Sequence, residues 1–146
     1  MKLSTKSRYG IHAMYDLARC PAGEPQSIKA IAERQHVPEA YLEQLISPLR
    51  KSGLVKSVRG AQGGYLLARP PEEITVGAVM RALEGDLNLV DCLSEEDACE
   101  RACSCATRLV WRRLNDGLIE IVDSITLRDI IDDYEQTRSG KDKETP

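Results

Sequence analysis

The chain has 146 residues and a mass of 16.2 kDa, 42% of them hydrophobic, enough for one ordinary core or a small domain with an oligomerisation element; a large multidomain enzyme is excluded. Its net charge of −3 hides a division, because eleven Lys/Arg stand against five Asp/Glu over residues 1–70 and nine against eighteen over residues 71–146, so the first half suits a polyanion such as DNA and the second would be repelled by it. With 4% aromatic residues, no Phe, no apolar run near the ~20 residues of a membrane span and no signal-peptide core after Met1, a mostly helical, soluble, cytoplasmic protein is expected.

Helix signals begin at once. Thr5 is a candidate cap for a first helix whose apolar positions Ile11, Met14, Tyr15, Leu17 and Ala18 follow helical spacing until Pro21 and Pro25 end it. Ser27 caps a second over Ile28 to Gln35, and His36, Val37, Pro38 and Glu39 read as a short turn into a third over Ala40 to Lys51, which together make a helix-turn-helix. After Ser52 and Gly53 the periodicity changes to about two. Residues 54–59 and 65–68 flank Gly60, Gly63 and Gly64, which predicts a β-hairpin, the wing of a winged helix. A phosphate-binding glycine loop is the competing reading, but no Gly-Lys-Ser/Thr follows.

Beyond Pro70 and Pro71, Thr75 caps a helix from Val76 to Leu83 that Gly85 ends, and an acidic, cysteine-bearing loop follows. A long helix from Ala106 to Ile125 places Val110, Leu114, Leu118, Ile121, Val122 and Ile125 along one stripe. So long a stripe has little to cover it in a small basic domain; packing against a second subunit is the economical solution, and folding back on its own domain is the alternative. Thr126 caps a last short helix to Tyr134. The expected organisation is therefore mostly α with a small β-hairpin wing: a winged helix-turn-helix DNA-binding domain over 1–84, a cysteine-bearing loop over 85–105, a dimerisation helix and short C-terminal helix over 106–134, and a disordered tail over 135–146.

A helix-turn-helix lays its second helix in the major groove, so side chains near that helix's start meet base edges. Here these are Ala40, Tyr41, Glu43 and Gln44. Gln44 can pair with adenine, while Glu43 can accept from a cytosine amino group and reject sites offering only acceptors or phosphates. Arg59, beside Gly60 at the wing tip, suits a minor groove; Arg50, Lys51 and Lys56, with Ser57 next to it, are candidates for the phosphate backbone. Leu42, Leu45 and Leu49 read as core. The bland alternative for Glu43 and Gln44 is an exposed helix face without a ligand.

Four of the five cysteines, Cys92, Cys99, Cys103 and Cys105, fall within fourteen positions. In a cytosolic chain such clustering points to a metal or cluster site or a thiol switch rather than to disulfides. The spacing lacks the paired knuckles of structural zinc, whereas iron–sulfur clusters accept irregular thiolate spacing. Cys103 and Cys105 precede a helix N-terminus, which lowers a thiol pKa and keeps an oxidative switch open. Cys20 reads as a buried thiol. No histidine–acid pair or nucleotide motif supports an enzyme.

Several motifs in fixed order carry a resemblance. Lys2 through Gly10, Tyr41-Leu42-Glu43-Gln44-Leu45, Leu49 through Val55 and Ser57 through Leu67 resemble the IscR-type winged-helix regulators, the family of the iron–sulfur assembly regulator, over about residues 1–134. Cys92, Cys99 and Cys105, followed by Trp111, are similar to the three-cysteine pattern of its cluster-binding members. The resemblance implies a homodimeric transcription regulator on double-stranded promoter DNA, mainly a repressor of iron–sulfur assembly genes, with one [2Fe–2S] cluster per subunit on Cys92, Cys99 and Cys105. It departs at Arg108, where the assembly regulator carries a histidine and where a guanidinium has no lone pair to offer a metal. His12, Cys103, an acid such as Glu43 or Asp91, or an exogenous thiol remain for the fourth position. Arg8 replaces the acid that nitric-oxide sensors of the family use nearby. A regulator with zinc or no metal, sensing a metabolite, a partner enzyme or thiol oxidation, is the alternative.

Overall fold

The computed structural model describes residues 2–94, 100–101 and 103–141. Six α-helices and one antiparallel hairpin make a winged helix among these residues: α1 (Thr5–Arg19), α2 (Ile28–Gln35), α3 (Glu39–Lys51), β1 (Val55–Val58), β2 (Gly64–Leu67), α4 (Val76–Glu84), α5 (Ala106–Ser124) and α6 (Leu127–Lys141), with short 3₁₀ turns at Pro71–Glu73 and Asp91–Leu93.

Local chemistry sets the ends of these helices. Ser4, rather than the expected Thr5, caps α1 by accepting from the Ser7 amide at 3.1 Å, because Thr5 already has helical geometry. Ser27 and Thr75 cap α2 and α4 in the same way, accepting from Ala30 at 3.1 Å and Ala78 at 3.0 Å. Helix α2 stops where His36 turns left-handed at φ 53°, and Val37 donates back to the Ala32 carbonyl at 3.1 Å, which closes the turn of the helix-turn-helix. Helix α3 starts at Glu39, one residue before the expected Ala40, and continues through Pro48.

In the hairpin Val55 pairs with Leu67, Lys56 with Leu66, Ser57 with Tyr65 and Val58 with Gly64. The other edge of β2 bonds Gln26: the Gln26 amide donates to the Tyr65 carbonyl at 3.0 Å and the Tyr65 amide to the Gln26 carbonyl at 2.8 Å. Gly64 permits this approach, since a Cβ there would overlap the Gln26 backbone. The wing root is thereby tied to the α1–α2 connection.

The core gathers Ala13, Met14 and Leu17 of α1, Ile31 of α2, Leu42 and Leu49 of α3, Leu54, Val55, Ile74 and Val79. It also contains Leu127 of α6, fully buried, with Ile131 beside it. The chain therefore leaves the N-terminal domain along α5 and comes back along α6, which packs on α1. Two backbone bonds hold the return: the Val76 amide donates to the Ile125 carbonyl at 2.8 Å and the Leu127 amide to the Ile74 carbonyl at 2.9 Å. Residues 135–146 were expected as a disordered tail, but α6 runs to Lys141; its buried face anchors the first turns on α1 and the helix continues past Tyr134. The rest of that stretch, 142–146, lies outside the described residues.

Helix α5, 19 residues and so roughly 28 Å long, behaves differently. Only Asn115 and Val122 are buried along it, while Leu109, Val110, Trp111, Leu114 and Ile121 are exposed. Of the expected stripe, Val110, Leu114 and Ile121 stay exposed, Leu118 and Ile125 are half-buried and Val122 is buried.

Candidate nucleic-acid interface and cysteine segment

Helix α3 follows the tight turn after α2 with Leu42, Leu45, Ile46 and Leu49 directed into the core, as the spacing of its leucines requires. Its other face presents Glu43, Gln44 and Arg50 to solvent. Tyr41 is half-buried and meets the Tyr9 ring edge-on at 5.4 Å, so it also packs α3 against α1. Lys56 and Ser57 are exposed on β1 but, as successive strand residues, lie on opposite faces of the hairpin. Arg59 and Gly60 form the exposed wing tip, where Gly60 has φ 115° and its carbonyl accepts from the Gly63 amide at 3.0 Å.

Behind this face, α1 and α2 are locked by a polar contact that the sequence reading missed. Asp16, buried, accepts from Arg34 at 2.6 Å and from Gln35 Nε2 at 3.0 Å. The carboxylate's hydrogen bond holds the Arg34 guanidinium above its ordinary pKa. Arg34 also reaches Gln26 Oε1 at 2.9 Å, so one side chain braces the helix-turn-helix against the wing root. The sequence signal was Asp16 among the apolar positions of α1, an acid where the helical stripe calls for core.

The cysteine segment meets α5 at its N-terminus. Cys92 is half-buried in the Asp91–Leu93 turn, Cys103 is exposed, and half-buried Cys105 is the N-cap residue of α5; Cys99 lies outside the described residues. Cys105 Sγ lies 3.2 Å from Thr107 Oγ1, and this hydrogen bond, joined by backbone N–H groups of the first turn and the charge of Arg101, lowers the thiol pKa. Arg108 joins the two cysteine positions, donating from its backbone amide to the Cys105 carbonyl at 3.3 Å and from its guanidinium to the Cys92 carbonyl at 3.4 Å. Cys103, Cys105, Arg108, Leu109 and Arg112 line an open hollow of about 280 Å³.

No group of three metal-ligating side chains is assembled among the described residues. The thiols of Cys92 and Cys105 nevertheless fit a thiolate-bound group in chemistry: both are free and partly accessible, and Cys105 ionises more readily than an ordinary cysteine. Of the fourth-ligand candidates, Asp91 adjoins Cys92, Cys103 adjoins Cys105, Glu43 stands on α3, and His12 is exposed on α1 with Nδ1 3.3 Å from Gln35 Oε1. Cys20, expected buried, is half-buried; its thiol accepts from Arg34 at 3.7 Å, and burial and then Asp16 raise its pKa.

Asn115 anchors this segment to α5. Its buried Oδ1 accepts from the Leu89 amide at 2.8 Å, fixing the chain just before Cys92. Sequence reasoning did not single it out, because its partner lies 26 residues away.

A helix-turn-helix carried on a closed core, a tethered glycine-rich wing and a long exposed helix define a winged-helix DNA-binding regulator. The chain belongs to the Rrf2 family: the family model described as "Iron-dependent Transcriptional regulator" matches residues 3–133. It is 46% identical over 130 residues to the HTH-type transcriptional regulator CymR of Bacillus subtilis, covering 89% of each chain. It is 40% identical over 135 residues to the HTH-type transcriptional regulator IscR of Pectobacterium carotovorum, covering 92% of this chain and 82% of that one. Among solved structures, T. potens IscR superposes with a TM-score of 0.78 at 48% identity, covering 94% of this chain and 90% of that one. CymR, described as the global cysteine regulator of B. subtilis, superposes with a TM-score of 0.75 at 46% identity, covering 89% and 95%. The relatives are named as transcriptional regulators. No helix among the described residues is long and apolar enough to cross a membrane.

Proposed function

We propose that this Rrf2-family regulator is a homodimeric, DNA-binding repressor of iron–sulfur cluster assembly genes that senses cluster status through one [2Fe–2S] cluster per subunit, held by Cys92, Cys99 and Cys105. The observation that carries the reading is the placement of Cys92 and the readily ionised Cys105 around Arg108 at the head of α5, a helix that leaves Leu109, Val110, Trp111, Leu114 and Ile121 exposed. When bound, the cluster supplies iron–thiolate bonds that are lost under oxidative or iron-poor conditions, a signal suited to a sensor. The fourth ligand is then a group other than Arg108, which carries no lone pair.

The residues of the chain divide the remaining work. Leu109, Val110, Trp111, Leu114 and Ile121 bury against the same helix of a second subunit, pairing two recognition helices by a twofold axis. Gln44 reads an adenine and Glu43 excludes operators that offer it only acceptors; Tyr41 contributes from the packed start of α3. Arg59 and Gly60 enter the minor groove, Arg50 meets phosphates from the end of α3, and Lys56 and Ser57 meet phosphates and sugars from the wing. Asn115 and Arg108 hold the cysteine segment against α5, so ordering of Cys92 and Cys105 is felt along the dimer helix.

A second reading follows the comparable similarity to CymR: a metal-free regulator that responds to cysteine supply, with Arg108 occupying the place of a ligand. One measurement separates the two. Protein purified without oxygen is analysed by visible absorption and for iron, acid-labile sulfide and zinc. Bands between about 400 and 600 nm with about two irons and two sulfides per chain support the cluster reading. A colourless chain that holds about one zinc, or that takes up no cluster on reconstitution, overturns it. Retention of operator control after replacing Cys92 and Cys105 by Ala supports the metal-free regulator.

A further inference from the structure

The cysteine segment touches α5, whereas DNA is assigned to α3, and these two helices are linked through α4, which packs on α1, α3 and α5. At one end α4 is stitched to the end of α5 by the backbone bonds from Val76 to Ile125 and from Leu127 to Ile74. One turn further along, Arg81 donates to Asp123 of α5 through its two terminal guanidinium nitrogens, Nη1 and Nη2, at 2.6 and 2.8 Å. The backbone under this pair is Gly77, where a Cβ would collide with the Asp123 carboxylate and crowd the Arg81 guanidinium. At the far end of α4, Leu83 lies over Gly10 of α1 and closes a small hollow of about 160 Å³ with Lys6, Tyr41, Gln44, Leu45 and Pro48. The same nine-residue helix thus holds α5 with one end and, with the other, packs on α3 and lines a hollow shared with two candidate DNA-reading side chains, Tyr41 and Gln44.

We infer that Arg81 and Asp123, seated on Gly77, are positioning residues for DNA recognition: by fixing how α5 crosses α4 they set the pose of α3 through Leu83. Both side chains are about two-fifths exposed, so the pair contributes little to stability as a charge interaction. Its paired N–H···O geometry instead fixes an orientation, which a single contact would leave free to swivel. Stitch and pair together hold the end of α5 to α4 by two kinds of bond, backbone at Ile125 and side chain at Asp123, so a movement of that end carries α4 with it. The inference rests on the regulator reading for its DNA consequence, while its structural part stands by itself.

The charges supply a clean test. Arg81→Ala makes the chain more negative and Asp123→Asn makes it less negative, so long-range attraction to DNA changes in opposite directions. Positioning predicts the same direction for both. Gly77→Ala disturbs the pair without altering charge, and Arg81→Lys keeps a point charge without the fork. Each variant is titrated, at one ionic strength, with a duplex that the wild-type chain selects from random sequence and with an unrelated duplex. Hydrogen exchange is followed in peptides spanning Tyr41–Leu45. The specific-to-nonspecific ratio is expected to fall about 3- to 10-fold in Arg81→Ala, Asp123→Asn and Gly77→Ala, with Arg81→Lys between them and wild type. Exchange over Tyr41–Leu45 should rise with helix content unchanged. Affinities that simply follow charge, or exchange that rises only within α4 and α5, overturn the inference. If the wild-type chain itself selects no sequence, the regulator reading fails, and the exchange over Tyr41–Leu45 alone decides whether α4 positions α3.

Discussion

The winged-helix body and the α5–cysteine region are made from similar residues yet finished differently. In the body Met14, Ile31, Leu42 and Leu127 are at or near zero exposure, and the one buried carboxylate, Asp16, has Arg34 and Gln35 as partners. In α5 Leu109 is 68% and Ile121 59% exposed, and the adjoining cysteine turn is held by Asn115 and Arg108. A domain whose apolar surface is closed internally keeps its shape whatever binds to it; a helix with bare leucines leaves its burial to another surface. The division suits a reader of fixed geometry coupled to a responsive element, with stability concentrated in the first and sensitivity in the second.

Breaking the body should have the largest effect. Leu127→Ala removes a fully buried side chain from a core that α6 completes, and should cost about 2–5 kcal/mol in urea unfolding; a change below 0.5 kcal/mol would mean that α6 does not belong to that core. On α5, Leu114→Glu places a charge in the exposed stripe and should convert the proposed dimer to monomer in sedimentation equilibrium, at a cost on the order of 2 kcal/mol or more of association energy. A mutant that stays dimeric would move the interface elsewhere. Asp16→Ala leaves Arg34 and Gln35 without their acceptor and should lose about 1–3 kcal/mol, with no change in dimerisation.

Smaller effects sharpen the contrast. Arg59→Ala at the wing tip should weaken DNA binding and lower the salt slope by about 1, while Glu43→Ala should loosen discrimination between operators. Unchanged slopes would place Arg59 outside the interface. The finest difference is between two thiols. In metal-free protein Cys105, whose thiolate is favoured by Thr107 and the first-turn amides, ionises at lower pH than Cys20, whose thiolate is disfavoured by burial and Asp16. Iodoacetamide labelling followed by mass spectrometry should therefore rise at lower pH for Cys105, the two profiles converging in denaturant. A reversed order would show that the Thr107 contact does not form in solution.

Much of this was legible in the chain. The leucine spacing of α3, the Ser27 and Thr75 caps and the glycines around the wing each reflect a local rule: helical periodicity, a side-chain acceptor for a free amide, a turn that only glycine fits. The candidate reading face was legible for the same reason, since Glu43 and Gln44 are polar positions between buried leucines. Tyr41 was read as a base contact, and its edge-on meeting with Tyr9 depends on how α1 crosses α3, which no local pattern records. Nor did periodicity reveal that Asn115 secures Leu89 or that Arg81 meets Asp123, partners 26 and 42 residues apart.

The sequence by itself determined the helices, the hairpin, the segregation of charge and the clustering of cysteines, because each depends on residues within a few positions of one another. Only the tertiary structure decided that α6 returns to the N-terminal core, that α4 stands between α3 and the helix that follows the cysteine segment, and that the N-terminal part of the α5 stripe stays bare. These follow from which faces remain uncovered after the local elements have formed, and burying apolar area is non-directional: it names the surfaces to be covered but leaves their partners to the packing of the whole chain.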